Sequence, residues 1–569
     1  MAQNSVPRSA MPLFSAEMNE RITNALPAAR RWADRRLRTA LTSHPSPGNV
    51  LEGIAAVRML SNVRLALIAA CEPIYAAYSS VRWLWYLRRT DFSVIRGYLP
   101  NTATSIMRIA ENVSGMSQRP PSDDTPIIRV PLTFAVDQAA ISRIARLLAA
   151  AELINHAEGW LRRSSKNAKF VMIDGGFPDL VEDEQLEAAI EVFDERVVEA
   201  ANHRWHPTVV PFTGVETVNE PLLVDLSMFM DGVGQTPMWT GRISDKPRWV
   251  VGAGRFRFNS ASLTDQSNAH QLRGSLEAME HPELVAGLVV FSQALMWHAT
   301  WYAENIGVSF PRVGYVLMRL ENLHRPISDV LALANEKVWP AMAGFIPRDA
   351  AAVITALESV EEGGVIGAAG PVLRFWQNGV VMVDAFALGI TLTERLRMAP
   401  STGGRRVNII AADFELAVQA VVDSAGLTPR PEVAALRGKT LRLAGASVTD
   451  VDAFMEVDGA LVCISCKKFE LNRVYDAGDY VSVRNAKSKV EAAVTEWSGR
   501  LATLAAHPVG DNYDFSKYER VVGLVVTPEL AFVMSAEALE KITFKNLHPT
   551  YAYISFGELT KLAARLKPV

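Results

Sequence analysis

Residues 448–470 read VTDVDAFMEVDGALVCISCKKFE, and the fold of the C-terminal third turns on this stretch. Asp458-Gly459 is a hairpin signal, because a two-residue type I′ turn needs positive φ at both positions. With that turn, Val457 pairs with Ala460, Asp452 lies opposite Ser465, and Asp450 lies opposite Lys467. Side chains alternate between faces along a strand. One face then carries Asp450, Asp452, Phe454 and Glu456 beside Leu461, Cys463, Ser465 and Lys467. The other carries Thr449, Val451, Ala453 and Met455 beside Val462, Ile464 and Cys466, and it reads as core. The first face sets carboxylates within cross-strand reach of a lysine. On an ordinary wet sheet the same residues would make only an exposed ion pair, worth under ~1 kcal/mol.

Working outward, the hairpin sits in a regular α/β succession. A helix is expected over 411–425, stopped by Gly426, with strands near 439–444, 448–457 and 460–468. A long helix covers 485–506, with Val490, Ala493, Val494, Trp497 and Leu501 on one stripe, ending at His507-Pro508. Strands follow at 519–528 and 551–555. Ser555 and Glu558 have capping-box spacing at the start of a last helix. The boundary in front of this domain is MAPSTGGRRVN (398–408), where Pro, Gly and Arg interrupt a helical region.

The order helix, three strands, helix, strand, with these motifs, resembles the PD-(D/E)XK nuclease superfamily over 405–569. That family opens with a helix carrying Phe-Glu, here Phe414-Glu415 in ADFELAVQAVVDSAGL. It continues with an aspartate on one strand and carboxylate-x-lysine on the next. The resemblance implies a restriction-endonuclease-like fold with a mixed central sheet. It also implies Glu415, Asp452 and Lys467 as catalytic residues. Glu415, Asp452 and the Cys466 backbone carbonyl would be ligands of Mg²⁺ or Mn²⁺, and nucleic acid the substrate, with DNA ahead of RNA. Ser465 departs from the pattern: it stands where the family has Glu or Asp, and serine is a poor ligand beside a carboxylate. Asp450, or a carboxylate reaching over from the next helix (Glu491 or Glu496), would be the repair, with Ser465 contributing at most a hydrogen bond. A metal in such a site polarises the phosphate and lowers the pKa of a water. Hard oxygen ligands suit Mg²⁺, which takes one or two carboxylates and keeps its waters.

Lys468, Arg473, Arg484, Lys487 and Lys489 follow as a basic run into the long helix, a candidate phosphate contact. Asp476 and Asp479 lie among them, and a solvated charged face is the alternative. Cys463-x-x-Cys466 has odd spacing, which in a regular strand puts the sulfurs on opposite faces, so buried small residues fit better than a zinc or redox pair. His203 and His206, the GAG at 252–254 and the Gly-Gly at 175–176 lack the partners that a metal or phosphate loop requires.

The remainder bounds the setting. The chain has 569 residues, a net charge of −3 and three cysteines. That length predicts several domains, the charge gives no global basic field, and the cysteines suit a reducing cytoplasm. The domains read as helical over 1–165, mixed α/β over 166–265, helical over 266–400, and nuclease-like over 405–569. The most apolar segment, 65–87, holds Glu72, Pro73 and Arg82 and reads as a buried amphipathic helix, with no membrane partner expected. Strand-like runs at 169–175 and 206–212 flank an acidic helix, and 219–258 reads as β. The tryptophans read as core. The helical part carries no nameable chemistry and would sense, recruit or form homo-oligomers, as in restriction or phage defence. The alternative is an inactive nuclease-like module that binds nucleic acid or scaffolds a complex.

Overall fold

A computed structural model describes residues 14–41, 47–98, 100–129, 132–174, 176–200, 348–358, 371–384, 405–469, 473–544 and 549–566, with short pieces elsewhere between 229 and 387 and at 471. The chain divides into two compact units. The first comprises residues 1–163, 170–179 and 208–398; the second comprises 164–169, 180–207 and 399–569.

The first unit is built on helices. Ala16–Leu41, Gly53–Ala70, Pro100–Gly115 and Gln138–Ser165 bury a shared core that includes Leu26, Val63, Ile106 and Leu148. The apolar segment 65–87 is not one helix. Helix Gly53–Ala70 ends at Cys71, a short turn follows over Glu72–Tyr75 with Pro73 in its first turn, and Ser79 caps a new helix, Ser80–Leu87. Proline cannot donate inside a helix, so the chain restarts there. Trp83, Trp85 and Tyr86 are buried, with edge-on ring contacts at 5.5–6.2 Å. Among the described residues, Gly53–Tyr75 is long and apolar enough to cross a membrane by length and composition. Its Met59, Leu60, Val63 and Leu67 pack in the helical core.

The region 266–400 does not read as purely helical in the structure. Tyr315–Arg319, Val380–Asp384 and Leu373–Phe375 form an antiparallel sheet in that order. Val381, Met382 and Val383 are all buried, so the strand shows a continuous apolar run with no alternation to betray it. Asp384 is held by Arg88 at 3.0 Å, and Arg88 also binds Glu111. The segments 206–212 and 252–254 lie outside the described residues, as do His203, His206, Trp205, Trp239, Trp249, Trp297 and Trp301. Of 219–258, the structure describes the pairing of Phe229–Met230 with Pro237–Met238.

In the second unit the elements are α1 (Glu184–Ala200), α2 (Arg405–Ser424), β1 (Thr440–Leu443), β2 (Ala446–Asp450), β3 (Ala453–Val457), β4 (Ala460–Cys466), α3 (Tyr480–Ala506), β5 (Arg520–Thr527), β6 (Tyr553–Ser555) and α4 (Phe556–Leu566). The acidic helix α1 therefore belongs with the C-terminal domain and not with a separate mixed segment. Arg196 fixes it there: its guanidinium spans both oxygens of Glu558 (2.7 and 3.2 Å) and donates to the Tyr553 carbonyl at 2.6 Å. Glu558 completes the capping box, accepting the Ser555 N–H at 2.8 Å.

The described strands of the central sheet run in the order β3-β4-β5-β6, with β3 antiparallel to β4 and the other pairs parallel. All of β4 is buried, as a central strand covered on both faces must be. Asp458 and Gly459 have φ of 50° and 76°, which is the type I′ geometry, and Val457 pairs with Ala460. α2 ends at Gly426, whose φ of 72° lets the Leu427 N–H return to the Val422 carbonyl. Phe414, Val418 and Val422 of α2 are fully buried. On the other face, Phe454, Leu461 and Cys463 pack with Val490, Val494 and Trp497 of α3. The hairpin face read as polar is thus mostly core, because α3 covers it; Leu501 lies at the margin of that cluster, half-buried.

The structure differs from the sequence expectation at other places too, and α2 begins at Arg405, six residues before the expected start. Strand 448–457 breaks at Val451-Asp452, so Asp450 pairs with Thr440 of β1 in a separate two-stranded ribbon, not with Lys467. α3 begins at Tyr480, five residues early, because the Asp479 carboxylate caps it by accepting the Ser482 N–H at 2.8 Å.

Candidate active site

β3 and β4 part just beyond Ala453 and Ile464, and the polar groups collect at this mouth of the sheet. Asp452 continues the pairing by donating its N–H to the Ile464 carbonyl at 3.1 Å. Its carboxylate turns across to β4, where Oδ2 accepts the Cys466 N–H at 2.6 Å. Its own carbonyl accepts from Gln419 Nε2, also at 2.6 Å. Gln419 is one helical turn beyond Glu415, so α2 grips the Asp452 backbone while presenting Glu415 to the same region. Lys467 leaves the strand end, its N–H donating to the Val526 carbonyl at 2.8 Å.

The electrostatics tie these groups together. Partial burial pushes the Glu415 carboxyl up; Asp452 adds to the rise and Lys467 opposes it. Burial also raises Asp452, while the Cys466 N–H and Lys467 lower it and Asp450 raises it. The Cys466 thiol is pushed well up by burial, with the fields of Asp452, Glu415 and Lys467 superimposed. Asp452 thus contacts Cys466 directly, and the fields of Glu415 and Lys467 also act on that residue. Asp450, exposed on its ribbon, acts on Asp452 through its field.

The other expected helpers lie elsewhere. Glu491 accepts the N–H groups of Met534 and Ser535 at 2.8 and 2.9 Å, holding a loop rather than reaching the mouth. Glu496 pairs with Arg500 one turn along α3, and Arg500 also donates to Thr449 Oγ1 at 3.3 Å. The carboxylates of Glu491 and Glu496 are thus both engaged by other groups. Ser465 is buried and pairs with Val525. Arg484 and Lys489 are exposed on α3 and Lys487 is half-exposed, in its second and third turns and not at its N-terminus, which Asp479 occupies. Lys468 is half-exposed beside Lys467, and the Arg473 side chain lies outside the described residues. Cys463 and Cys466 are both buried free thiols, unsuited to pairing across the strand.

Local pattern does not single out Gln419, because its bond to Asp452 depends on helix–strand docking. The Cys466 side chain is buried, and the fields of Asp452, Glu415 and Lys467 act on its thiol.

Among the described residues no group of three or more His, Cys, Asp or Glu could hold a metal. Two carboxylates raised by burial, one also by the other's field, form a donor set that a divalent cation would relieve, and Mg²⁺ takes as few as one or two carboxylates. Comparison with protein-family models, curated proteins and solved structures found no match.

Proposed function

We propose that the second unit is a restriction-endonuclease-like domain that hydrolyses phosphodiester bonds of nucleic acid, DNA in the first instance, with Mg²⁺ or Mn²⁺. The observation that carries this reading is that Asp452 is held between the Cys466 N–H and Gln419, with Glu415 one turn away on the same helix as Gln419 and Lys467 directly after Cys466. The succession α2, antiparallel strands, α3 and parallel β5 supports the fold. Glu415 and the free oxygen of Asp452 would hold the cation, with the Cys466 carbonyl at the strand end. The bound ion would polarise the phosphate and acidify a water. Lys467 places a positive charge beside the scissile group, orients the attacking water and stabilises charge developing on the phosphate. Gln419 fixes the Asp452 backbone, and the Cys466 N–H fixes its carboxylate. Lys468, Arg484, Lys487 and Lys489 supply backbone contacts that position nucleic acid without reading its sequence. The first unit would sense a trigger or recruit a partner, in a cytoplasmic setting.

Ser465 favours a second reading, a non-cleaving module that binds nucleic acid or scaffolds a complex. The deciding experiment is cleavage of single- and double-stranded DNA and RNA with Mg²⁺ or Mn²⁺ by wild type, Asp452→Ala and Lys467→Ala. Activity lost in both variants supports catalysis. Equal residual signal in all three overturns it and leaves the second reading.

A further inference from the structure

The first unit contains a cleft of about 530 Å³ between helices Ala16–Leu41 and Gln138–Ser165. That volume is within the range of small-molecule sites. At one end Arg30 donates through Nε and Nη2 to the two oxygens of Glu152, at 2.8 and 2.7 Å. Glu152 is only 7% exposed, and each of its oxygens retains acceptor capacity after this contact. Further along the same helix the lining is aromatic. His156 packs edge-on to Trp160 at 5.1 Å and against Phe177 at 4.7 Å. Burial lowers the His156 pKa, which favours the uncharged ring.

The charge of this lining selects among ligands. Asp34 and Asp179 join Glu152, against Arg30 as the one fixed cation among the lining residues. Such a cleft repels phosphates and carboxylates and favours N–H donors or cations. An aromatic wall favours flat rings, and ring faces attract cationic groups. A tie between two helices needs the Arg30–Glu152 pair alone; it needs neither the open volume nor the aromatic wall.

We propose that this cleft binds a small planar aromatic amine or amidine. Its ring lies against His156, Trp160 and Phe177, and its N–H groups donate to Glu152 and the flanking aspartates. Such binding does not depend on nuclease activity in the second unit. The test is calorimetric titration of the full chain with benzamidine and with adenine, using ATP as the anionic comparison. Saturable binding of at least one probe is expected, with ATP at least tenfold weaker. Glu152→Gln and Phe177→Ala should each weaken the probe at least tenfold while thermal unfolding remains cooperative. Should Glu152→Gln fail to fold, Phe177→Ala alone is decisive. No saturable binding of either probe, equal binding of ATP, or affinity unchanged in the folded variants overturns the proposal.

Discussion

Replacing Asp452 separates the hydrogen bond it makes from the charge it carries. In Asp452→Ala the Cys466 N–H, on a residue 8% exposed, loses its acceptor at 2.6 Å. An unsatisfied buried donor costs about 1–3 kcal/mol. Asp452→Asn keeps an oxygen that can accept this bond while removing a charge that burial disfavours. The two variants should therefore differ by about 1–3 kcal/mol, or roughly 2–12 °C in Tm for a unit of this size. The pH dependence has a definite sign. The folded Asp452 carboxyl titrates above its unfolded value, so the native state binds its proton more tightly. Wild type should therefore lose stability relative to Asp452→Asn as pH rises through the window above ordinary carboxylate values, and the two should converge as pH falls. Mg²⁺ at ten times its Kd should restore about 1.4 kcal/mol to wild type and much less to Asp452→Asn. Calorimetric unfolding of the full chain at pH 5 and 7.5, with and without Mg²⁺, measures all of this. Asp452→Asn melting as low as Asp452→Ala, or wild type gaining on it with rising pH, would refute the reasoning.

Three other outcomes are expected. Ser465→Asp should lower metal-free stability by burying a further carboxylate, and should increase both the Mg²⁺-induced Tm gain and cleavage; a Tm that ignores Mg²⁺ in both proteins counts against a cation site. Arg196→Ala should cost about 3–5 kcal/mol in unfolding experiments, because it removes the buried partner of the largely enclosed Glu558 carboxylate, leaves the Tyr553 carbonyl without that donor and uncouples α1 from α4; a loss below about 1 kcal/mol would mean α1 is not integral to the unit. Gly523→Ala should destabilise by about 1–3 kcal/mol, since a Cβ there overlaps the Leu501 side chain and crowds the Trp497 indole; urea unfolding with an unchanged midpoint would contradict the close approach of α3 to β5.

Local rules carried the hairpin, the glycine stop of α2, the cap of α4 and the buried stripe of α3, because each depends on φ preference or periodicity within a few residues. Asp458-Gly459 sets the turn and its register wherever the hairpin sits, and Ser555 with Glu558 forms the capping box from adjacent residues. The strand at 380–384 escaped because complete burial removes the alternation that marks strands. The sequence set Glu415 on its helix, whereas Asp452 and Lys467, expected within strands, lie in the break before β3 and just past the end of β4. Tertiary structure settled which acids are engaged elsewhere. Asp450 departs because the chain breaks at Val451-Asp452 and pairs with Thr440, whereas Glu491 is claimed by the N–H groups of residues 534–535. The pairing of Asp450 is a short hairpin across Ala444-Gly445, but the partner of Glu491 lies 43–44 residues away, where packing and unsatisfied backbone groups choose the partner and local pattern carries no information.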